Sequence, residues 1–262
     1  MAARQGILMS RGCLVVALLV TLSGCGQTSA PVSKESTDGK AADMAGVWLP
    51  DASRAEPWPA QLPLTPIARA AMENFSPADQ DPTTYCMPLG TPRNMLQTEY
   101  PLEVAQTPRQ MLFVLQPSLA NAEVRRVRLD GSALPQAPEA SWFGTSRGRW
   151  EGATLVVETA GLRPDALISG NGLRHSDELR VIERLSVVND AEHGRTLVDE
   201  IELRDPKAYE RPLKTKRYFS WAPQAQLREP TGCIELEWID KTWRQRLEEH
   251  ATADRKAGKK SK

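Results

Sequence analysis

Three consecutive segments late in the chain alternate in polarity with a period of two, which is the period of a β-strand and not of a helix. In Glu178 to Val188, one face carries Leu179, Val181, Glu183, Leu185 and Val187. In Arg195 to Asp205, Leu197, Asp199, Ile201 and Leu203 share a face, and in Pro212 to Trp221 so do Leu213, Thr215, Arg217, Phe219 and Trp221. Asn189 to Gly194 and Pro206 to Arg211 join them as hairpins. Gln110 to Gln116, Glu123 to Asp130 and Thr154 to Thr159 are further strand candidates, with turn signals at Asp130-Gly131 and Glu151-Gly152. Short strands with tight connections predict a mainly β fold, an antiparallel sheet strongly curled or closed to hide its edges.

Each of the three apolar faces holds one charged residue at its middle, which a plain core does not. Pairing Leu185 with Leu197 and Leu203 with Leu213 predicts a row, Glu183–Asp199–Arg217, across adjacent strands. Opposed carboxylates repel, so such a row needs a cation, a shared proton or a polar ligand. Arg217 supplies one positive charge, and Arg125, on the Val127/Leu129 face of an earlier strand, can supply another. One reading is a satisfied ion network or a solvated barrel mouth. The other is an apolar-walled cavity with a few fixed polar groups, the usual form of a small-molecule site. Trp142, Phe143 and Trp150 then line its entrance, or else plug the core. Glu183, Asp199, Arg217, Arg125 and Trp150 are the candidate ligand-binding residues.

The rest of the chain carries fewer signals. Thr65 as N-cap and Pro66 at N1 predict a short helix, with Ile67, Ala70, Ala71 and Phe75 on one side. Prolines from Pro77 to Pro108 predict loops and short extended pieces. Gly144-Thr145-Ser146-Arg147-Gly148 matches a nucleophile-elbow string, with Asp165 and His175 following, but it lacks the strand before and helix after that such an elbow needs. Three histidines, none at ligand spacing, point to no metal, and no phosphate loop or dinucleotide fingerprint occurs. Catalytic residues are not assigned, and no cofactor is expected. A formal net charge of +0 with 25% charged residues excludes a broad nucleic-acid surface.

The first residues give an address. Arg4 and Arg11 precede an apolar run, Cys13 to Leu22, too short to span a bilayer. Leu22-Ser23-Gly24-Cys25 resembles the bacterial lipobox, which implies a signal peptide over residues 1–24 and diacylation of Cys25. Acyl chains at ~0.8 kcal/mol per buried CH₂ make a stable anchor. Gly26 in place of Asp favours the outer membrane by resemblance to enterobacterial sorting rules. Residues 25–45 read as a flexible tether, 46–240 as a single β-rich domain, and 241–262 as a helix followed by a basic disordered tail. With Cys13 removed and Cys25 acylated, Cys86 and Cys233 remain as one pair in an oxidising space. A disulfide there, stabilising by about 5 kcal/mol in the chain-entropy model, is favoured over a two-thiolate metal site.

Gly46-Val47-Trp48 resembles the G-x-W opening of lipocalin-type barrels, which implies that the tryptophan closes the barrel floor. Gly148-Arg149-Trp150-Glu151-Gly152-Ala153-Thr154-Leu155-Val156-Val157, with Cys86-Met87-Pro88-Leu89-Gly90 and Glu178 to Arg184, resembles a family of exported bacterial proteins of unknown function. Ala153 stands where that family has Asp, and Ser132-Ala133-Leu134 departs from its stretch after Asp130-Gly131. The resemblance implies export and hands over no activity. The expectation is a lipid-anchored, periplasm-facing envelope protein, a non-catalytic module binding a small amphiphile, a lipid or an envelope partner. A hydrolase or isomerase using the inward acids, and a purely structural protein, are the alternatives.

Overall fold

The alternating segments pair as their polarity demands, and with six other strands they close on themselves. The computed structural model describes residues 41–97, 99, 101–116, 122–229, 232 and 245. Its strands are β1 (Gly46–Pro50), β2 (Leu102–Thr107), β3 (Gln110–Leu115), β4 (Glu123–Arg128), β5 (Thr145–Glu151), β6 (Thr154–Ala160), β7 (Arg180–Asp190), β8 (Gly194–Arg204) and β9 (Leu213–Trp221). Chain neighbours are sheet neighbours, and β1 pairs with β9 to close a nine-stranded barrel. The fold is therefore mainly β and lipocalin-like in its closure and strand order.

One seam departs from the expected antiparallel sheet. β4 and β5 run parallel, through Val127↔Ser146 and Arg128↔Arg147. Parallel neighbours need a long crossover, which residues 129–144 supply. Gly148 lies on β5 beside this seam. A methyl group there would stand 2.7 Å from Leu129 Cδ2 and 2.9 Å from Val127 Cγ1, so the close approach requires a bare Cα.

Register follows turn chemistry. β8 and β9 pair as predicted, with Asp199 opposite Arg217 and Leu203 opposite Leu213. β7 and β8 lie two residues away from the predicted pairing, so Glu183 faces Ile201 and Asp199 faces Leu185. The Asp190 carboxylate accepts the N–H groups of Glu192 and His193, and Gly194 takes φ +70°. These bonds set a three-residue loop closing on Asp190↔Gly194. A two-residue displacement leaves every side chain on its face.

The core fills the barrel. Trp48, Met111, Phe113, Leu155, Leu185 and Phe219 are buried inside it. Trp48 packs edge-on against Trp221, with ring centroids 4.9 Å apart, and its Nε1 donates to the Met44 carbonyl at 3.0 Å. Met44 is fully buried, so the packed domain begins before residue 46 and claims the end of the expected tether.

Helical pieces cover the barrel. Helix α1 (Pro66–Glu73) is capped by Thr65, whose side chain accepts the N–H of Ala68. Its inward side carries Ala68 and Met72 rather than Ile67, which is 81% exposed. The proline-rich stretch contains three short helical turns besides β2: α2 (Pro77–Gln80), a 3₁₀ turn (Pro82–Tyr85) and α3 (Arg93–Leu96). Residues 1–40, and the expected C-terminal helix and tail apart from the helical Gln245, lie outside the described residues.

Candidate functional site

Four strands bring their inward polar groups to one place. Arg125 of β4 is fully enclosed and forms a two-pronged ion pair with Glu183 of β7. Nη1 donates to Oε1 at 2.7 Å, and Nη2 donates to Oε2. Nη2 also reaches Thr159 Oγ1 on β6 at 2.9 Å, and Ser146 Oγ on β5 lies 3.4 Å from Nε and Nη2. The Ser146 and Thr159 hydroxyls share a hydrogen bond of 2.7 Å. Burial works against the Arg125 charge, but the Glu183 carboxylate more than offsets it and holds the guanidinium above its ordinary pKa. Every prong of the fork is occupied.

Asp199 of β8 is also fully buried, and among the described residues neither of its oxygens has a hydrogen-bond partner. Burial first, and the Glu183 charge second, push its pKa well above the ordinary carboxyl value. Arg125 and Arg217 pull the other way without prevailing. Such a site favours the neutral acid.

The predicted row therefore needs correction. Glu183 and Asp199 lie diagonally rather than directly opposed, and the cation on Glu183 is Arg125, not Arg217. Arg217 turns its guanidinium to the rim, where Nε donates to the Leu96 carbonyl at 3.1 Å. Its Nη1 donates to the Glu56 carbonyl at 3.0 Å and to Thr215 Oγ1 at 2.6 Å. Burial lowers its pKa against the opposing pull of Asp199 and Glu56. Arg217 thus clamps the covering segments to β9. Trp150 is half-buried against the core cluster, as a plug. The Phe113 ring centroid lies 6.0 Å from Arg125 Cζ. Buried core side chains, with the Ser146 and Thr159 hydroxyls among them, enclose the ion pair.

The other motifs resolve separately. Ser146 lies within β5, its hydroxyl engaged by Thr159 and Arg125, and not on a strand-to-helix turn. His175 is buried, its Nδ1 2.8 Å from the Ser176 carbonyl, and burial lowers its pKa. Among the described residues no group of three His, Cys, Asp or Glu side chains is placed to hold a metal ion. Cys86 is engaged rather than free, while Cys233 and the lipidation candidate Cys25 lie outside the described residues.

A cleft of about 530 Å³ opens on the outside of the barrel, where sequence reading placed nothing. Its walls include Ala137, Pro138, Ala140 and Pro164, with Gln136, Asp177, Glu178, Arg180 and Arg204 contributing polar surface. Two segments of the chain are held together there: Ser141 N–H donates to the Gly161 carbonyl at 3.0 Å, and Arg163 N–H to the Ser141 carbonyl at 3.1 Å. Gly161, at φ +72°, lets Pro138 approach; a Cβ there would meet the ring at 2.8 Å. The rim charges are already paired, Arg180 with Glu158, Arg204 with Glu202, and Asp177 and Glu178 with Lys207. No protein-family model, curated protein or solved structure matches the chain.

Two predictions follow the buried charges. Arg125→Met leaves Glu183 unpaired in the core and should cost ~3–5 kcal/mol in urea unfolding. Adding Glu183→Gln should restore much of that loss, and an unchanged single variant would show that the fork does not hold the strands. For Asp199 the folded pKa stands above the unfolded one, so the native state keeps a proton that the unfolded chain has released. Stability therefore falls as pH rises from about 4 toward the folded pKa, by at most about 1.4 kcal/mol per pH unit. Asp199→Asn removes this slope, so its melting temperature relative to wild type should climb from acid to neutral pH. A constant difference would mean that Asp199 titrates alike in the folded and unfolded chain.

Proposed function

We propose that this protein is a lipid-anchored envelope lipoprotein whose barrel is a non-catalytic binding module for a small amphiphile. The observation that carries the reading is the outer cleft. Its volume of about 530 Å³ lies within the span of small-molecule sites, roughly 300–1,000 Å³. Its lining mixes apolar side chains with Gln136 and the charged Asp177, Glu178, Arg180 and Arg204, and these charges are paired within the protein. A chain-bearing, neutral or zwitterionic ligand suits that lining better than a free ion does.

The location rests on the basic start, the short apolar run and Cys25, with export also implied by the resemblance around Trp150. The outer membrane is favoured through Gly26. A Cys86–Cys233 bridge belongs to the same reading, since an oxidising compartment preserves disulfides.

The filled interior favours one competing reading, a purely structural envelope protein. An enzyme working through the inward acids has less support. Glu183 and Asp199 are both fully buried, and the Glu183 oxygens are taken by Arg125.

Two experiments test the proposal. Purified protein titrated with N-phenylnaphthylamine, a neutral fluorescent amphiphile, should bind it saturably. Ala140→Trp, at an exposed position of the cleft wall, should weaken binding by roughly tenfold, as the loss of an apolar pocket contact implies, without lowering the melting temperature. Equal binding by both forms would leave the structural reading. Separately, labelling with a fatty-acid analogue should mark wild type and not Cys25→Ala, and an unlabelled, fully soluble wild type would end the anchor.

A further inference from the structure

The outer surface of the barrel handles charge in two ways. Over β6 to β9 the cations meet acids on neighbouring strands: Arg180 with Glu158, Lys214 with Glu202, and Lys216 with Glu200. Over β3 to β5 Arg149 pairs along its own strand with Glu151, and the other outward arginines do not pair. Arg126 and Arg128 on β4, Arg147 on β5 and Arg109 in the β2–β3 turn make no ion pair with any described residue. Arg128 sits directly beside Arg147 in the parallel seam, and Arg126 lies two positions before Arg128 on the same face.

Like charges so placed destabilise a sheet, and nothing described within the protein offsets them fully. Asp130 is close, but its carboxylate is held first by Ser132, with Arg147 and Arg128 as weaker influences. Arg147 Nε is buried without a hydrogen-bond partner, and Nη1 reaches only the adjacent Ser146 carbonyl at 3.3 Å. Arg109, Arg126 and Arg128, together with one acid, Asp130, border a depression of about 590 Å³. Next to them runs an apolar band of Leu112 and Val114 on β3 and Val124 on β4, the last 53% exposed.

We propose that this β3–β5 face binds anionic phospholipid at a bilayer surface, its arginines on headgroup phosphates and the Val124 band against the acyl boundary. A planar guanidinium matches phosphate oxygens two at a time. The apolar band distinguishes a lipid from inorganic phosphate, which has no use for Leu112, Val114 or Val124. The face is separate from the cleft and needs no acyl anchor.

The full chain in a neutral detergent, titrated with dihexanoyl phosphatidylglycerol below its micelle concentration, should bind saturably and more weakly as salt rises. Dihexanoyl phosphatidylcholine should bind at least about tenfold less well. A basic residue near an anionic surface contributes roughly fivefold. Arg126→Gln with Arg128→Gln should therefore weaken phosphatidylglycerol binding by more than about tenfold while the melting temperature stays level or rises, since the repulsion of Arg128 by Arg147 is relieved. Val124→Ser should weaken it too, whereas Ala140→Trp should bind as wild type does. Undiminished binding by the double arginine variant would overturn the proposal. So would competition by inorganic phosphate at matching concentration, or loss of binding in Ala140→Trp, which would assign the signal to the cleft.

Discussion

The fork between Arg125 and Glu183 ties β4 to β7 across the interior, and Thr159 and Ser146 draw the two intervening strands into the same bond network. This matters because the seam between β4 and β5 is the weakest in the barrel. It has two paired positions, whereas β7 and β8 have eleven. A ladder that short contributes little closure by itself. The polar network bridges the place where backbone pairing is thinnest. A buried pair is weak evidence for net stability against an apolar replacement, but removing one partner alone is costly. Its structural contribution is therefore one of specification: Arg125 finds its acid only when β4 is seated against β5 in the observed register.

Asp199 looks wasteful beside that pair. Its oxygens lie unpartnered in the core, close enough to Glu183 to feel its charge. The two acids can share the interior because they differ in state. Arg125 neutralises Glu183, while burial and the Glu183 charge together favour a protonated Asp199. The guanidinium is thus spent on Glu183, and Asp199 does without a counter-ion. Arg217 is not needed as a counter-ion and is free to fasten the Leu96 and Glu56 carbonyls over the barrel rim.

Inward faces were legible in the sequence and their neighbours less so. Period-two alternation marks Glu183, Asp199 and Arg125 as inward whatever the register, so a two-residue displacement between β7 and β8 left the faces intact. It changed the pairing, because a carboxylate at Asp190, rather than the hydrophobic match of Leu185 with Leu197, sets the loop. Three strands carry little alternation to read. β1 has five residues, β2 is bounded by Pro101 and Pro108, and β5 points Ser146, Gly148 and Trp150 inward, two small residues and one large. In α1, Ile67 marks the wrong side because tertiary contact falls on Ala68 and Met72. The cleft was invisible for another reason. Its walls come from loops and a strand start far apart in the chain, with no shared period.

The same limit hid the arginine face, since whether a surface cation is paired depends on what stands across the ladder. Arg128 and Arg184 are equally ordinary in sequence. Arg184 has an acid, Glu200, opposite it on β8 and reaches Glu151 on the other side. Arg128 has Gln110 on one side and Arg147 on the other. A barrel has no edge at which to dispose of such repulsion, and a filled interior cannot take the charge inward. The exposed cations are therefore left to water and counter-ions, or to a partner that approaches from outside. If anionic lipid is that partner, recognition falls on the outer wall of the barrel, in contrast to a hollow barrel that holds its ligand within.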